Sequence, residues 1–244
     1  MSPSEHVTEF GFARGRVLAG KYEVLERLGK GWEGEVYRLR EVATGVERAA
    51  KFFYPHRNIG DRTMKFHARK LARLSQCPIL IRYFTHDQTK FRGHLVKFLV
   101  SELFEGEQLA QFIARQPRKR LTLFEGLHLL HALAGGLEQI HEVGEYHGDL
   151  HDGNIMVQRS GIFFDVKLVD LYRWHGTATE NIREDVCDVI RVFYDVVGGQ
   201  KVYKSLPPEV KWICGGLKRS LILKRFRTAG DLRWHLEHMH WETL

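Results

Sequence analysis

The stretch Tyr146-His147-Gly148-Asp149-Leu150-His151-Asp152-Gly153-Asn154-Ile155-Met156 is the most chemically informative part of the chain. It forms a polar loop between a predicted long helix and a predicted strand, with Asp149 and Asn154 five positions apart. A further acid, Asp170, ends the next apolar run. Two carboxylates and an amide are hard oxygen ligands that suit Mg²⁺, and one acid can instead orient a hydroxyl group and accept its proton. The alternative is a turn in which Asp and Asn cap local backbone groups.

A glycine-rich segment lies far upstream, in the sequence Leu28-Gly29-Lys30-Gly31-Trp32-Glu33-Gly34-Glu35-Val36. Glycines have no Cβ, so backbone N–H groups beside them can approach phosphate oxygens closely. A dinucleotide-binding fold needs a helix after the third glycine. A strand and a hairpin follow here, which excludes that fold. A glycine-rich hairpin without a ligand is the alternative.

Lys51 lies within the apolar strand Arg48-Ala49-Ala50-Lys51-Phe52-Phe53 that follows the hairpin. A charged lysine in such a strand loses solvation unless an anionic partner is present. A nucleotide phosphate is one such partner. The alternative is a lysine at the sheet edge whose ammonium group reaches water.

The order of predicted elements favours an α+β fold, with a β-rich N-terminal part and a mostly helical C-terminal part that meet near Phe104–Gly106. Period-2 alternation begins at Tyr22, and Ala43-Thr44-Gly45 is a predicted hairpin turn. The predicted strands are 35–40, 46–54, 95–103, 154–158 and 165–170. The predicted helices are 62–74, 108–116, 123–142, 185–197, 207–218 and 228–240.

Composition indicates an ordinary globular protein of 244 residues with a net charge of +7 and three cysteines at wide spacing. No disulfide framework or secretory leader is visible, and no apolar run approaches the roughly 20 residues of a membrane span. We therefore expect a cytoplasmic protein without a membrane segment. Residues 201–233 contain nine Lys or Arg and two acids. This basic segment could meet an acidic partner, but a solvated helix surface is favoured, and we expect no specific nucleic acid because no groove-reading motif accompanies the charge.

Taken together, these motifs resemble the eukaryotic-like protein kinase superfamily in order and approximate spacing. The resemblance covers about residues 21–240, after an N-terminal arm (1–20). It implies a bilobal fold: an antiparallel N-lobe sheet with one helix (21–103), a mostly helical C-lobe (107–240) and a short activation segment. Asp185 takes the position of the family's aspartate that braces the catalytic loop.

The resemblance also implies ATP and Mg²⁺ as cofactors, a protein substrate, and a role for each candidate residue. Asp149 and Lys51 would be catalytic, with Asp149 orienting the attacking hydroxyl and Lys51 pairing the α- and β-phosphates. Asn154 and Asp170 would hold Mg²⁺. The remaining residues would bind the nucleotide: Leu28, Gly29, Gly31, Gly34, Val36, Ala49, Glu102, Phe104 and Met156.

Several positions depart from the family pattern. The family pairs its strand lysine with a helix glutamate, but no Glu occurs between Glu47 and Glu102. His67 takes the helix position, so Lys51 is expected to pair with Asp170 or with nothing, and His67 could instead lie at the surface. Gly148 replaces an arginine that reads an activating phosphate, which predicts activity without phosphorylation of the activation segment.

The region after Asp170 is also short, with only 15 positions to Asp185. Because this short region contains no Ala-Pro-Glu sequence, Arg225 lacks the Glu partner that the family pattern supplies. His151 stands where serine/threonine-directed members carry Lys, and this loop looks more like that of the antibiotic and choline kinases. The N-lobe and residues 185–232, however, look more like those of protein kinases, so we expect a compact, bacterial serine/threonine protein kinase. The alternatives are a small-molecule phosphotransferase and a nucleotide-binding pseudokinase scaffold.

Overall fold

A computed structural model describes residues 6–161 and 163–239 of the chain. Its contacts divide the chain into two compact units. The first contains the chain up to Gln76 together with Ile81–Phe104, and the second contains Cys77–Leu80 and the chain from Glu105 onward. No helix among the described residues is long and apolar enough to cross a bilayer.

The first unit is an antiparallel six-stranded sheet with the order β1-β2-β3-β4-β6-β5 and one α-helix, α1 (Arg62–Arg73). Its strands are β1 (Val17–Leu18), β2 (Tyr22–Lys30), β3 (Gly34–Glu41), β4 (Glu47–Phe53), β5 (Tyr83–Phe91) and β6 (His94–Ser101). Alternate residues of these strands form an aromatic core in which Phe52 stacks on Phe98 with ring centroids 4.4 Å apart. This unit agrees with the antiparallel sheet and single helix predicted for the N-lobe.

The predicted N-terminal arm has little regular structure apart from β1, yet it contributes to this core. Val7, Phe10 and Phe12 are buried. The Phe10 N–H donates to the fully buried carboxylate of Glu35 at 3.2 Å, and the Phe12 N–H donates to the Tyr37 hydroxyl at 3.2 Å. Burial of three large apolar side chains stabilises the unit by several kcal/mol, on the order of 2 kcal/mol each. Residues 1–5 of the predicted arm lie outside the described residues.

The second unit is mostly helical and carries a small antiparallel sheet of order β7-β8-β9. The strands are β7 (Glu107–Gln108), β8 (Ile155–Ser160) and β9 (Phe163–Leu168). The helices are α2 (Leu109–Arg115), α3 (Leu123–Glu142), α4 (Ala178–Val196), α5 (Gln200–Tyr203), α6 (Pro208–Cys214), α7 (Arg219–Arg225) and α8 (Ala229–His238). A capping box at Thr122 starts α3, whose apolar face supplies much of the core. Residue 240, the predicted end of the C-lobe, lies outside the described residues.

Three of the differences from the predicted elements have clear physical reasons. Strand β5 was missed because it is an edge strand whose side chains are largely exposed and polar. Helix α4 begins at Ala178 rather than at 185, because its first turns carry a capping box at Thr177 but few apolar residues. The predicted helix 207–218 ends at Cys214, where Gly215 and Gly216 adopt positive φ and break it.

Candidate active site

The glycine-rich segment forms the turn between β2 and β3. Gly29 pairs with Val36 across the two strands, and the Gly31 N–H donates to the Gly34 carbonyl at 2.8 Å. Nothing lies within 4 Å of a Cβ placed on Gly29 or Gly31. These two glycines therefore leave open space beside their backbone, as a phosphate-binding loop requires.

Gly34 is required by the sheet itself. A Cβ at this position would overlap the Phe52 carbonyl of β4 and lie 3.1 Å from the Phe53 Cα atom. Only glycine allows β3 to run this close to β4. The third glycine of the motif is therefore required by the packing of β3 against β4, a constraint that does not apply to Gly29 or Gly31.

Lys51 lies in the middle of β4, opposite Val36 on β3 and Leu99 on β6. Directly paired residues of neighbouring strands share a sheet face, and so do alternate residues along one strand. Val36, Ala49 and Lys51 therefore lie on one face of the sheet, the arrangement expected for a nucleotide site. Leu28 is half-exposed just before the turn.

The carboxylate that contacts Lys51 in this unit is Glu33, which the sequence reasoning missed. The Lys51 ammonium donates to Glu33 Oε2 at 2.6 Å, and His67 Nε2 lies 2.9 Å from the same oxygen. Burial would raise the pKa of Glu33, but the hydrogen bond from His67 and the charge of Lys51 lower it to about 2. The expectations that Lys51 pairs with nothing and that His67 lies at the surface are wrong, since His67 is 5% exposed.

The end of this unit contains Glu102 and Phe104, two of the predicted nucleotide-binding residues. The Glu102 N–H donates to the Arg82 carbonyl at 2.9 Å, and the Glu102 carboxylate accepts from the Arg82 N–H at 2.8 Å. This two-way bond fixes the chain just after β6. Phe104 follows as a half-buried residue at the end of the unit.

In the second unit, the buried carboxylate of Asp185 organises the loop between α3 and β8. It accepts from the His147 N–H at 2.6 Å and the Gly148 N–H at 2.9 Å, and it contacts the His141 ring at 3.2 Å. Charge-assisted bonds to a fully buried carboxylate hold this backbone firmly. The predicted bracing position of Asp185 is confirmed. Burial and the neighbouring Asp185 charge raise the pKa of Asp188, one turn further along α4, to about 6.

Asp149 and Asn154 are joined directly. The Asn154 side-chain amide donates to the Asp149 backbone carbonyl at 2.8 Å and to Asp149 Oδ2 at 3.1 Å. The Asp149 N–H donates to His147 Nδ1 at 3.2 Å. Asn154 is buried, whereas the Asp149 side chain is 47% exposed. The carboxylate is therefore fixed in orientation and still open to an incoming group.

Asp170 and Met156 lie on neighbouring segments of the same unit. The Val169 N–H donates to the Asn154 carbonyl at 3.0 Å, which connects the chain just before Asp170 to the loop that contains Asp149. Asp170 has a left-handed φ of 58° and an exposed side chain. Met156 is half-buried on β8, where it pairs with Lys167.

The donor chemistry of Asn154 and Asp170 fits Mg²⁺. The amide nitrogen of Asn154 is engaged with Asp149, which leaves the amide oxygen as an acceptor. Mg²⁺ is usually bound through one or two carboxylates together with substrate phosphates. Among the described residues, no cluster of three His, Cys, Asp or Glu side chains could hold a metal ion, so Mg²⁺ would need phosphate or water oxygens as well.

The short segment after Asp170 folds back onto Gly148. The Tyr172 N–H donates to the His147 carbonyl at 3.0 Å, and the Trp174 indole N–H donates to the Gly148 carbonyl. Gly148 has a φ of 88°, and a Cβ there would lie 2.8 Å from the Tyr172 carbonyl oxygen. A side chain at position 148 has no room, so these direct contacts replace the arginine of the family pattern.

The basic segment 201–233 is partly neutralised. Arg219 pairs with Glu184, and Arg233 pairs with Glu138 at 2.5 Å. Arg225, whose expected glutamate is missing, donates to the Trp212 carbonyl and lies over the Trp212 ring at 4.5 Å. Glutamates outside the segment therefore balance part of the net charge of +7 that residues 201–233 carry by sequence. An acidic partner at this surface stays a prediction.

Comparisons with known proteins agree with this geometry. The protein kinase domain family matches residues 22–198. Serine/threonine-protein kinase pkn2 of Myxococcus xanthus is 31% identical over 157 residues, which cover 63% of this chain and 18% of that protein. Smooth-muscle myosin light chain kinase of Gallus gallus is 32% identical over 155 residues, covering 61% of this chain and 8% of that protein. The chain thus spans less than a fifth of the length of these two relatives.

Among solved structures, the PknI kinase domain of Mycobacterium tuberculosis superposes with a TM-score of 0.64 and 19% identity, covering 93% of this chain and 98% of that one. At this low identity, the superposition shows a shared fold. The α+β kinase fold predicted from the sequence is confirmed. Because the family match spans both the glycine-rich turn and the loop braced by Asp185, the chain belongs to the protein kinase domain family.

Proposed function

We propose that this protein transfers the γ-phosphoryl group of ATP, with Mg²⁺, to a serine or threonine hydroxyl of a protein. The observation that best supports this proposal is the geometry of Asp149. Its carboxylate is oriented by the Asn154 amide at 3.1 Å, and its loop is held by the buried Asp185. Almost all catalysis of phosphoryl transfer comes from positioning and charge stabilisation, so a fixed, accessible carboxylate is the central requirement.

In this proposal, Asp149 accepts a hydrogen bond from the acceptor hydroxyl and takes its proton as the phosphoryl group is transferred. Asn154 fixes the rotamer of Asp149 through its amide nitrogen. Its amide oxygen and the Asp170 carboxylate would hold Mg²⁺. Mg²⁺ would supply neutralisation of the phosphate charge.

The first unit would bind the nucleotide. Backbone N–H groups near Gly29 and Gly31 would contact the phosphates, and Lys51 would pair with the α- and β-phosphates. The other residues of this unit that we predict to bind the nucleotide are Leu28, Val36, Ala49, Glu102 and Phe104. For Met156, in the second unit, nucleotide binding stays a prediction from the sequence.

The test is incubation with γ-labelled ATP and Mg²⁺, using generic protein acceptors, followed by phosphoamino acid analysis. We expect label on phosphoserine or phosphothreonine. Asp149→Asn should lower the rate about 100-fold or more. Asp152→Asn is the matched control, since Asp152 is an aspartate of the same loop with a 58% exposed side chain. Equal rates for the wild type and Asp149→Asn would contradict the proposed role.

A small-molecule phosphotransferase is the second candidate. The observation that favours it is His151, which stands at the position where serine/threonine kinases carry lysine. Its Nε2 atom lies 3.8 Å from the Asp149 carboxylate. Only residues 171–177 separate Asp170 from α4, and α5 has four residues, so the second unit offers a small platform for a peptide. Label that is recovered only on a small acceptor would support this candidate. Nucleotide binding without transfer would indicate the pseudokinase scaffold.

A further inference from the structure

Glu33, in the turn between β2 and β3, contacts a lysine and a histidine side chain from two different elements. Its Oε2 atom lies 2.6 Å from the Lys51 ammonium on β4 and 2.9 Å from Nε2 of His67 on α1. The side chains are 22%, 18% and 7% exposed for Glu33, Lys51 and His67, respectively. The cluster is largely shielded from water, so its charge interactions are stronger than those of a surface ion pair.

Helix α1 cannot supply a carboxylate to Lys51. Its sequence, Arg-Thr-Met-Lys-Phe-His-Ala-Arg-Lys-Leu-Ala-Arg, contains no acidic residue. Kinases require an ion pair between the strand lysine and a helix glutamate before they transfer a phosphoryl group. His67 occupies the buried face of α1, and its ring stacks on Phe53 with centroids 5.8 Å apart. The helix therefore presents an imidazole where the family presents a carboxylate.

The backbone of the turn holds Glu33 in place. The Glu33 carbonyl accepts from the Tyr54 N–H at 2.9 Å, just beyond the end of β4. The next residue, Gly34, lies directly against the backbone of β4, where no Cβ would fit. The Glu33 carboxylate therefore projects from a part of the glycine-rich turn that is fixed against the end of β4.

We propose that Glu33 is the positioning residue for Lys51, taking the part of the family's helix glutamate, and that His67 ties this carboxylate to α1. The inference rests on the proposed function, in which Lys51 contacts the nucleotide phosphates. It adds a regulatory consequence. Glu33 lies in the β2–β3 turn and Lys51 lies on β4 of the same sheet, so their pair forms as the sheet folds and needs no movement of the helix.

The opposite arrangement is that Glu33 occupies the phosphate position and must leave before the nucleotide binds. The contacts argue against it. Departure of the carboxylate would leave the ring N–H of buried His67 without this acceptor, and a buried donor that loses its acceptor is costly. Retention of the carboxylate keeps both of its hydrogen bonds.

The test compares the wild type with Glu33→Gln, the double variant Glu33→Gln/His67→Glu, and the control Glu9→Gln. Glutamine keeps the shape of residue 33 but removes its charge, and the double variant returns the carboxylate from the helix side. Glu9 is an exposed acid of the same unit that pairs with Arg27. All variants are first checked for folding by circular dichroism, and Mg-ATP-dependent transfer is then measured as kcat and KM.

We expect Glu33→Gln to lower kcat/KM for ATP about tenfold or more, and the double variant to recover several-fold of that loss. Glu9→Gln should match the wild type. An unchanged or faster Glu33→Gln enzyme would overturn the proposal and indicate a blocking carboxylate. A folded double variant that is no better than Glu33→Gln would reduce Glu33 to a structural residue.

A measurement without nucleotide separates this inference from the proposed function. Acylation of Lys51 by an N-hydroxysuccinimide ester, followed by peptide mass spectrometry, needs no phosphoryl transfer. An ammonium group paired with a carboxylate is held in its unreactive protonated form, so Glu33→Gln should acylate several-fold faster at Lys51 than wild type. An unchanged rate would overturn the pairing even if the enzyme is active, whereas an inactive wild type with the expected rate difference would contradict only the proposed function.

Discussion

Removal of the Glu33 charge should change the stability of the protein in a pH-dependent way. The pKa of Glu33 falls from 4.5 to about 2 in the folded protein, since the hydrogen bond from His67 and the charge of Lys51 outweigh burial. Each pKa unit corresponds to about 1.4 kcal/mol, so a pKa that is about 2.5 lower in the folded protein is worth about 3.5 kcal/mol. Because the pKa of the Glu33 carboxyl is lower in the folded protein than in the unfolded chain, this contribution to the free energy of unfolding is fully present above pH 4.5. It is lost as pH falls towards 2.

The assay is urea denaturation of the wild type and Glu33→Gln across this pH range. The difference in the free energy of unfolding should be largest near neutral pH, and it should shrink by about 1.4 kcal/mol per pH unit between 4.5 and 2. Glu9→Gln removes the same formal charge from an exposed pair with Arg27, where solvent weakens the interaction. Its difference from wild type should change little with pH. Parallel curves for wild type and Glu33→Gln would refute the ionised pairing of this carboxylate.

Three further predictions test other parts of the site. Gly34→Ala should cost about 1–3 kcal/mol of stability because its Cβ overlaps β4, whereas Gly31→Ala should leave stability within about 0.5 kcal/mol and raise the KM for ATP; equal losses in urea denaturation would contradict this contrast. Gly148→Arg should lose about 1–3 kcal/mol and most phosphotransfer, since position 148 is crowded by the Tyr172 carbonyl and has positive φ; a stable, active variant would disprove that account. Thr177→Ala removes a helix cap worth about 1 kcal/mol but should keep phosphotransfer, and complete inactivation of the folded variant would show that phosphorylation of this residue is needed.

The residues that the sequence places close together along the chain were predictable. Asp149 and Asn154 are five positions apart in one loop, and loop closure over so few residues keeps their side chains close. The brace at Asp185 follows from the resemblance of its helix to the family's pattern. The period-2 strands and the long amphipathic α3 follow from hydrophobic periodicity.

The contact between Lys51 and Glu33 was not predictable in the same way. Glu33 is 18 positions upstream, and the contact depends on the β2–β3 turn and on the register that pairs Val36 with Lys51. Sequence periodicity places residues on faces but does not fix where a turn residue directs its side chain. The sequence did contain a signal, since the absence of any glutamate between Glu47 and Glu102 requires a carboxylate from elsewhere.

The two departures from the family pattern lead to one view of regulation. In the first unit, the Glu33 carboxylate beside Lys51 comes from the β2–β3 turn, so rotation of α1 is not needed to form the pair. In the second unit, Gly148 removes the arginine that reads a phosphate, and the Trp174 indole N–H instead donates directly to the Gly148 carbonyl. Both contacts form as each unit folds, and both replace elements that switch in other kinases. If the proposed function holds, phosphotransfer should therefore not require phosphorylation of the activation segment, which is the result that the Thr177→Ala variant tests.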